Sequence, residues 1–186
     1  MQLTRRTLTA AALALAAPMG PMMASSAHAA SRDKLAARGM AALRELESKD
    51  ARARFIAKHA KAVLVFPSIL KAGLVFGAQT GNGVLLRGGK PVAYYNITGG
   101  SWGLQIGAQD FAYALFFMTD SALSYLNKSE GFSAGTGPSI TVINQGAAAE
   151  ANTTTLSQDV YAFPFNGKGL MADLTLQGTK ITRIHQ

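Results

Sequence analysis

Residues Gly99–Gln109 read G-G-S-W-G-L-Q-I-G-A-Q, and their strict alternation limits the fold more than any other part of the chain. Ser101, Gly103, Gln105, Gly107 and Gln109 fall on one face. Trp102, Leu104, Ile106 and Ala108 fall on the other. A period of two over this length predicts a β-strand with one apolar and one small, polar side. Glycines on one face of a strand mean that another backbone, a large side chain or a ligand comes close. The stretch holds the only tryptophan and runs into the apolar segment Phe111–Met118, so it is expected near the middle of a sheet.

Gly99-x-Ser101-x-Gly103 also matches the spacing of a nucleophile elbow, which needs a strand, a sharp turn at the serine and then a helix. Here the residues after Ser101 continue the strand period. His59 precedes the serine and His185 is the penultimate residue, so no Ser…Asp…His order exists. No catalytic residue is assigned. Gly81-Asn82-Gly83 lacks the Lys-Ser/Thr and helix of a phosphate-binding loop. The chain has no cysteine, which excludes disulfides, thiolate metal sites and a lipid-modified cysteine. No metal site and no cofactor is expected.

The first 29 residues read as a cleavable signal peptide. Arg5 and Arg6 form a charged start, Thr7–Ala17 is short and apolar, and Ala27-His28-Ala29 is a small-x-small cleavage site. Thr4-Arg5-Arg6-Thr7-Leu8 resembles a twin-arginine signal, with an ordinary Sec signal as the alternative. Residues 30–186 are then expected to form one domain, periplasmic or secreted. Charge is concentrated at its start: Arg32–Lys71 carry ten bases and four acids, whereas the remainder carries six of each. That asymmetry suits an anionic partner or, more plainly, a solvated helical surface.

Ser31–Ser48 is predicted to be a helix capped by Ser31, with Leu35, Ala36, Gly39, Ala42, Leu43 and Leu46 on one side. Asp50 is predicted to cap a second helix, Ala51–Lys61. Phe55, Ile56, His59 and Ala62 share its face, with His59 expected in the core. Arg54, Lys58 and Lys61 form a basic ridge beside them. Such a ridge fits an interfacial helix, and equally a core-packing helix with a wet back.

Beyond the helices the pattern is that of short strands. Val63–Phe66 ends at Pro67, Lys71–Gly77 follows, and Thr80–Gly83 reads as a turn. Gly88-Gly89 reads as a hairpin turn between Val84–Arg87 and Pro91–Ile97. Thr119 or Asp120 caps a short helix, Ser121–Leu126, and Asn127–Pro138 is a loop. Ser139–Gln145, Ala148–Thr155, Val160–Phe165, Leu170–Gln177 and Thr179–Ile184 complete about ten strands. The expected fold is α+β: a mainly antiparallel, strongly curved or barrel-like sheet with N-terminal helices and one short middle helix.

Several strings together resemble the SYLF domain, a lipid-binding module also called the Ysc84-type actin-binding domain. They are Ala62-Val63-Leu64-Val65-Phe66-Pro67, Leu70-Lys71-Ala72-Gly73, Gly81-Asn82-Gly83, Gly99–Gln109, Phe117-Met118-Thr119-Asp120, Gly169-Leu170-Met171-Ala172 and Leu176-Gln177-Gly178-Thr179-Lys180-Ile181. The resemblance implies phospholipid binding through basic residues and an N-terminal amphipathic helix, with actin binding in some relatives. Asp173 and Gln177 depart from the family's usual Gly and Glu. A periplasm holds neither actin nor phosphoinositides, so general anionic-lipid binding is the property expected to carry over.

The expectation is a non-enzymatic, peripheral phospholipid-binding protein of the bacterial cell envelope. Arg52, Arg54, Lys58, Lys61 and Lys71 are the expected lipid-binding residues, and Phe55, Ile56 and Trp102 the apolar contacts. The alternative is a periplasmic structural or protein-interaction module without a lipid ligand. Nucleic acid is not an expected partner, because the basic quarter lacks interleaved aromatics apart from Phe55.

Overall fold

The computed structural model describes residues 22–73, 76–102, 107–128, 132–133, 137–143, 156–167 and 178–185. The helices are α1 (Met22–Lys49), α2 (Ala51–His59) and α3 (Asp120–Lys128). The strands are β1 (Ala62–Gly73), β2 (Phe76–Arg87), β3 (Lys90–Trp102), β4 (Gly107–Phe117), β5 (Phe132–Ser133), β6 (Ile140–Val142), β7 (Val160–Phe165) and β8 (Thr179–Arg183). They form one sheet in the order β5-β8-β3-β2-β1-β4-β7-β6. Among the described residues, only the β6–β7 pairing is parallel.

The sheet is strongly curled. β4 and β5 stand five places apart, about 24 Å along a flat sheet at the usual strand spacing. Yet the Phe117 and Phe132 rings lie 6.2 Å apart, edge to face. The face carrying these rings is therefore the concave one. Leu64, Phe66, Ile69, Tyr95, Ile97 and Leu115 line it, and α3 fills it with Ala122, Leu123 and Leu126. The outer face buries Val63, Val65, Val84, Ala114, Phe116 and Phe163 under α1 and α2. A curved, mainly antiparallel α+β fold with two N-terminal helices and a middle helix is what the sequence led us to expect.

The helix α1 begins at Met22, so Ser31 lies inside it rather than capping it. The residues before Ser31 are mostly Ala and Met, strong helix formers that carry the helix backward. Its inward side is the expected one: Ala36, Gly39, Ala42 and Leu46 are buried.

Pro67 does not end a strand. β1 advances four residues from Val65 to Ile69 while β2 advances three from Val84 to Gly81, so β1 carries one extra residue, a β-bulge. Proline, lacking an N–H, suits a bulge. The predicted turn at Thr80–Gly83 is likewise strand. A Cβ at Gly81 would sit 2.6 Å from the Ser68 carbonyl oxygen, and one at Gly83 would sit 2.6 Å from the Phe66 ring. These glycines let the bulge and an aromatic ring approach β2. The turn glycines are Gly88 and Gly89, with φ of +56° and +75°. Positive φ at both central residues makes a type I′ hairpin.

Gly99–Gln109 is not one strand. Its first part ends β3 and its last part begins β4, and these strands flank the β2–β1 pair rather than each other. Order 4-1-2-3 is a Greek key. Period-two alternation does not register that the sheet position changes. The expected strands Ala148–Thr155 and Leu170–Gln177 lie outside the described residues.

One carboxylate ties the middle helix to the sheet edge. Thr119 Oγ1 donates to Asp159 Oδ1 (3.0 Å) and accepts from the Ala122 N–H (3.3 Å), capping α3. Ser139 donates its backbone N–H (3.2 Å) and its hydroxyl (3.0 Å) to Asp159 Oδ2. The Ser139 donors, then Thr119, hold the Asp159 carboxyl below the usual carboxylate range. A carboxyl depressed in the folded state contributes stability above its unfolded pKa, about 4, and loses it as pH falls through the folded value. The unfolding midpoint is expected to fall below about pH 4. Asp159→Asn should flatten that acid limb in a thermal melt series.

Candidate functional site

Asp50 builds the corner from which the basic surface projects. Its N–H closes α1 on the Leu46 carbonyl (2.8 Å), and its carboxylate then accepts from the N–H groups of Arg52 (2.8 Å) and Ala53 (3.3 Å) to open α2. Burial raises the Asp50 carboxyl, but hydrogen bonds from Arg52 and Ala53 more than offset it and hold the group low. The Arg52 guanidinium folds back onto Asp50, Nη2 to Oδ2 at 2.8 Å. Arg52 is therefore locally neutralised.

The three bases of the ridge itself remain at the surface. Arg54, Lys58 and Lys61 are exposed. Arg54 Nε donates to the Glu47 carbonyl at the end of α1 (2.8 Å), a helix C-terminus that favours a cation. Lys61 Nζ reaches Asp120 Oδ2 at 3.2 Å, with both side chains largely in solvent; exposed pairs of this kind contribute about 0–1 kcal/mol.

The face expected for Phe55, Ile56, His59 and Ala62 is split. Ile56 is 5% exposed and Ala62 is buried, whereas Phe55 is 51% exposed. His59 is exposed too: its ring lies tilted against Phe55 with centroids 4.7 Å apart, and Nδ1 donates to the Phe55 carbonyl (2.9 Å). The inward stripe is Ala53, Ile56, Ala57 and Ala60. With a helix this short, a shift of one position exchanges inside for outside, and the small alanines, not the ring, fit against the sheet.

Between α1, α2 and the β2–β3 turn lies an open groove of about 460 Å³. Met40, Leu43, Ala57, Val63 and Leu86 give it an apolar lining, and Arg44, Glu47, Lys58 and Lys61 are its charged members. Burial pushes the Glu47 carboxyl up, with Arg54 opposing. The structure thus gathers Lys58 and Lys61, adds Arg44, and leaves Arg54 and Phe55 on the exposed side of α2. Arg44 belongs to the charge excess of the sequence, but only the fold brings it to the same groove as Lys58.

Lys71 lies elsewhere. It is 7% exposed, on the concave side of β1, paired with Gln79 of β2 and Gln109 of β4. It is not part of the helical surface. Trp102 ends β3 opposite Phe76 in the backbone register; its side chain lies outside the described residues. Ser101 sits within β3, without a strand-to-helix turn. Among the described residues, no helix is long and apolar enough to cross a membrane.

A family model, Ysc84, described as Las17-binding protein actin regulator, matches residues 98–186. The matched region starts in β3 and runs to the end of the chain; α1, α2, β1 and β2 precede it. No curated protein matches the chain.

Proposed function

We propose, from the membership of residues 98–186 in the Ysc84 family, that this protein binds lipid and docks peripherally on an anionic membrane surface. The family is described as one of binding proteins, and the chemistry of the docking surface comes from α2 and from Lys61 just beyond it. The observation that carries the reading is the exposed array of Arg54, Phe55, Lys58 and Lys61 beside an apolar groove. Cations attract an anionic surface, and an exposed ring adds apolar burial at the headgroup level. The signal-like first 29 residues support export, which makes the cell envelope the site of action. The binding is non-enzymatic in this reading, and Ser101 inside a strand supports that.

Each base near an anionic bilayer contributes about 1 kcal/mol at moderate salt. Removing three such contributions amounts to about a hundredfold change in partitioning. Purified protein is expected to sediment with vesicles containing phosphatidylglycerol and not with phosphatidylcholine vesicles, and salt should weaken the binding. The variant Arg54→Glu/Lys58→Glu/Lys61→Glu should lose about two orders of magnitude in partition coefficient while melting as a folded protein. Unchanged sedimentation of that variant sinks the proposed surface.

A further inference from the structure

The inner face of the sheet changes character along its length. Phe111, Ile69, Gly81, Ile97 and Ile181 form one register row, and its side chains are core. The next row toward the β1–β2 end is Gln109, Lys71, Gln79, Gly99 and Thr179 across five strands. The row after that is Gly107, Gly73, Gly77 and Ser101. A lysine thus stands between two glutamines, with a hydrocarbon row on one side and a row of three glycines and Ser101 on the other.

Lys71 is 7% exposed and Gln79 9% exposed. Among the described residues, none forms a hydrogen bond or ion pair with the Lys71 ammonium. The acid nearest in the register, Asp110, belongs to the outer face, where Ser68 donates to both its oxygens at 2.8 and 3.0 Å. An ammonium withdrawn from water without a counter-charge is unfavourable. Gln79 also has a defined place: its amide nitrogen is 3.2 Å from where a Cβ of Gly99 would stand, so glycine there leaves space for the amide.

We propose that Lys71, with Gln79 and Gln109 beside it, is an anion-binding site inside the curled sheet that takes a singly charged phosphate ester or phosphate. One ammonium and two neutral amides supply one positive charge and several N–H donors, matched to a monoanion with two or more oxygens. Glycine at positions 73, 77 and 107 puts no side chain beside Lys71 and its two glutamines in the next row of these three strands. This site lies on the opposite face of the sheet from α2 and does not depend on the helical surface.

The test is a thermal melt of the full protein at constant ionic strength with two probes: inorganic phosphate, and monomeric short-chain phosphatidylglycerol. At about a hundredfold excess over Kd the melting temperature should rise by about 7 °C. A rise with phosphate alone assigns a free phosphate site. A rise restricted to the lipid assigns a headgroup site. Lys71→Met should abolish the rise and leave the protein folded, because an apolar chain of similar length relieves a buried charge. If Lys71→Met fails to fold, Gln79→Met serves instead and should weaken the response at least about threefold, the loss of one amide donor. The Arg54→Glu/Lys58→Glu/Lys61→Glu variant should keep the full response, which separates this site from the membrane surface. No rise with either probe overturns the proposal, as does an equal rise in Lys71→Met.

Discussion

Replacing Gly83 with valine is expected to destabilise the protein by about 3 kcal/mol and lower its melting temperature by about 8 °C. A Cβ at this position would stand 2.6 and 2.7 Å from two Phe66 ring carbons and 2.8 Å from the Val65 carbonyl oxygen. Phe66 is fully buried. The carbonyl belongs to the strand paired with β2, so moving it breaks ladder geometry beside the bulge. Relief from the ring alone is partial. The double variant Gly83→Ala/Phe66→Leu should recover part of what Gly83→Ala loses, while the clash with the Val65 oxygen persists. Gly100→Ala is the control: nothing lies within 4 Å of its Cβ position, and its melt should stay within about 0.5 kcal/mol of the parent. Chemical denaturation with a single transition measures all four variants on one scale.

Gly83 also shows how far the sequence could be read. Gly81-Asn82-Gly83 and Gly88-Gly89 look alike as strings, and both suggest a turn. Only the second adopts positive φ. The first exists because a bulge in the neighbouring strand pushes the Ser68 carbonyl and the Phe66 ring toward β2, and that neighbour is set by pairing, which lies outside any local window. The same limit explains Gly99–Gln109. Alternation correctly marks strand at both ends, yet it carries no record of the change from β3 to β4. Elements with strong local chemistry were legible: the Asp50 cap, the Val160–Phe165 strand, and the small-residue stripe of α1.

The candidate surface was legible in part for a related reason. Arg54 and Lys58 follow from helical spacing, but α2 stops at His59 rather than Lys61, because Ala60 turns extended and the Lys61 N–H joins the sheet at the Phe117 carbonyl. All three bases are nonetheless exposed. His59 and Phe55 were harder, because a single short helix offers two adjacent faces and only docking onto the sheet chooses between them. Lys71 was grouped with the ridge by its charge. Its strand position turns it to the other face, where glutamines from two neighbouring strands meet it. Those glutamines are 8 and 38 residues away in sequence, so no local motif announces them.

Gly39→Leu is expected to displace α1 from the sheet, with a loss of about 3 kcal/mol and about 8 °C in melting temperature. A Cβ at Gly39 would meet Val84 Cγ1 well inside van der Waals contact. Val84 is fully buried and β-branched, so its side chain has little rotamer freedom to yield. The helix gains about 1 kcal/mol of propensity when glycine is replaced, which offsets only part of the clash. Faster amide exchange along residues 36–46 should accompany the loss, because those residues rest on the sheet beside Gly39. α2 carries its own anchors, Ala53 at 0% and Ile56 at 5% exposure. Arg54, Phe55 and Lys58 should therefore keep their places, and salt-sensitive binding to phosphatidylglycerol vesicles should survive below the lowered melting temperature. The ridge charge reversal should do the opposite, preserving the melt and losing the vesicles. If Gly39→Leu instead removes vesicle binding while α2 stays protected from exchange, the groove wall supplied by α1 holds the lipid, and the ridge only steers it there.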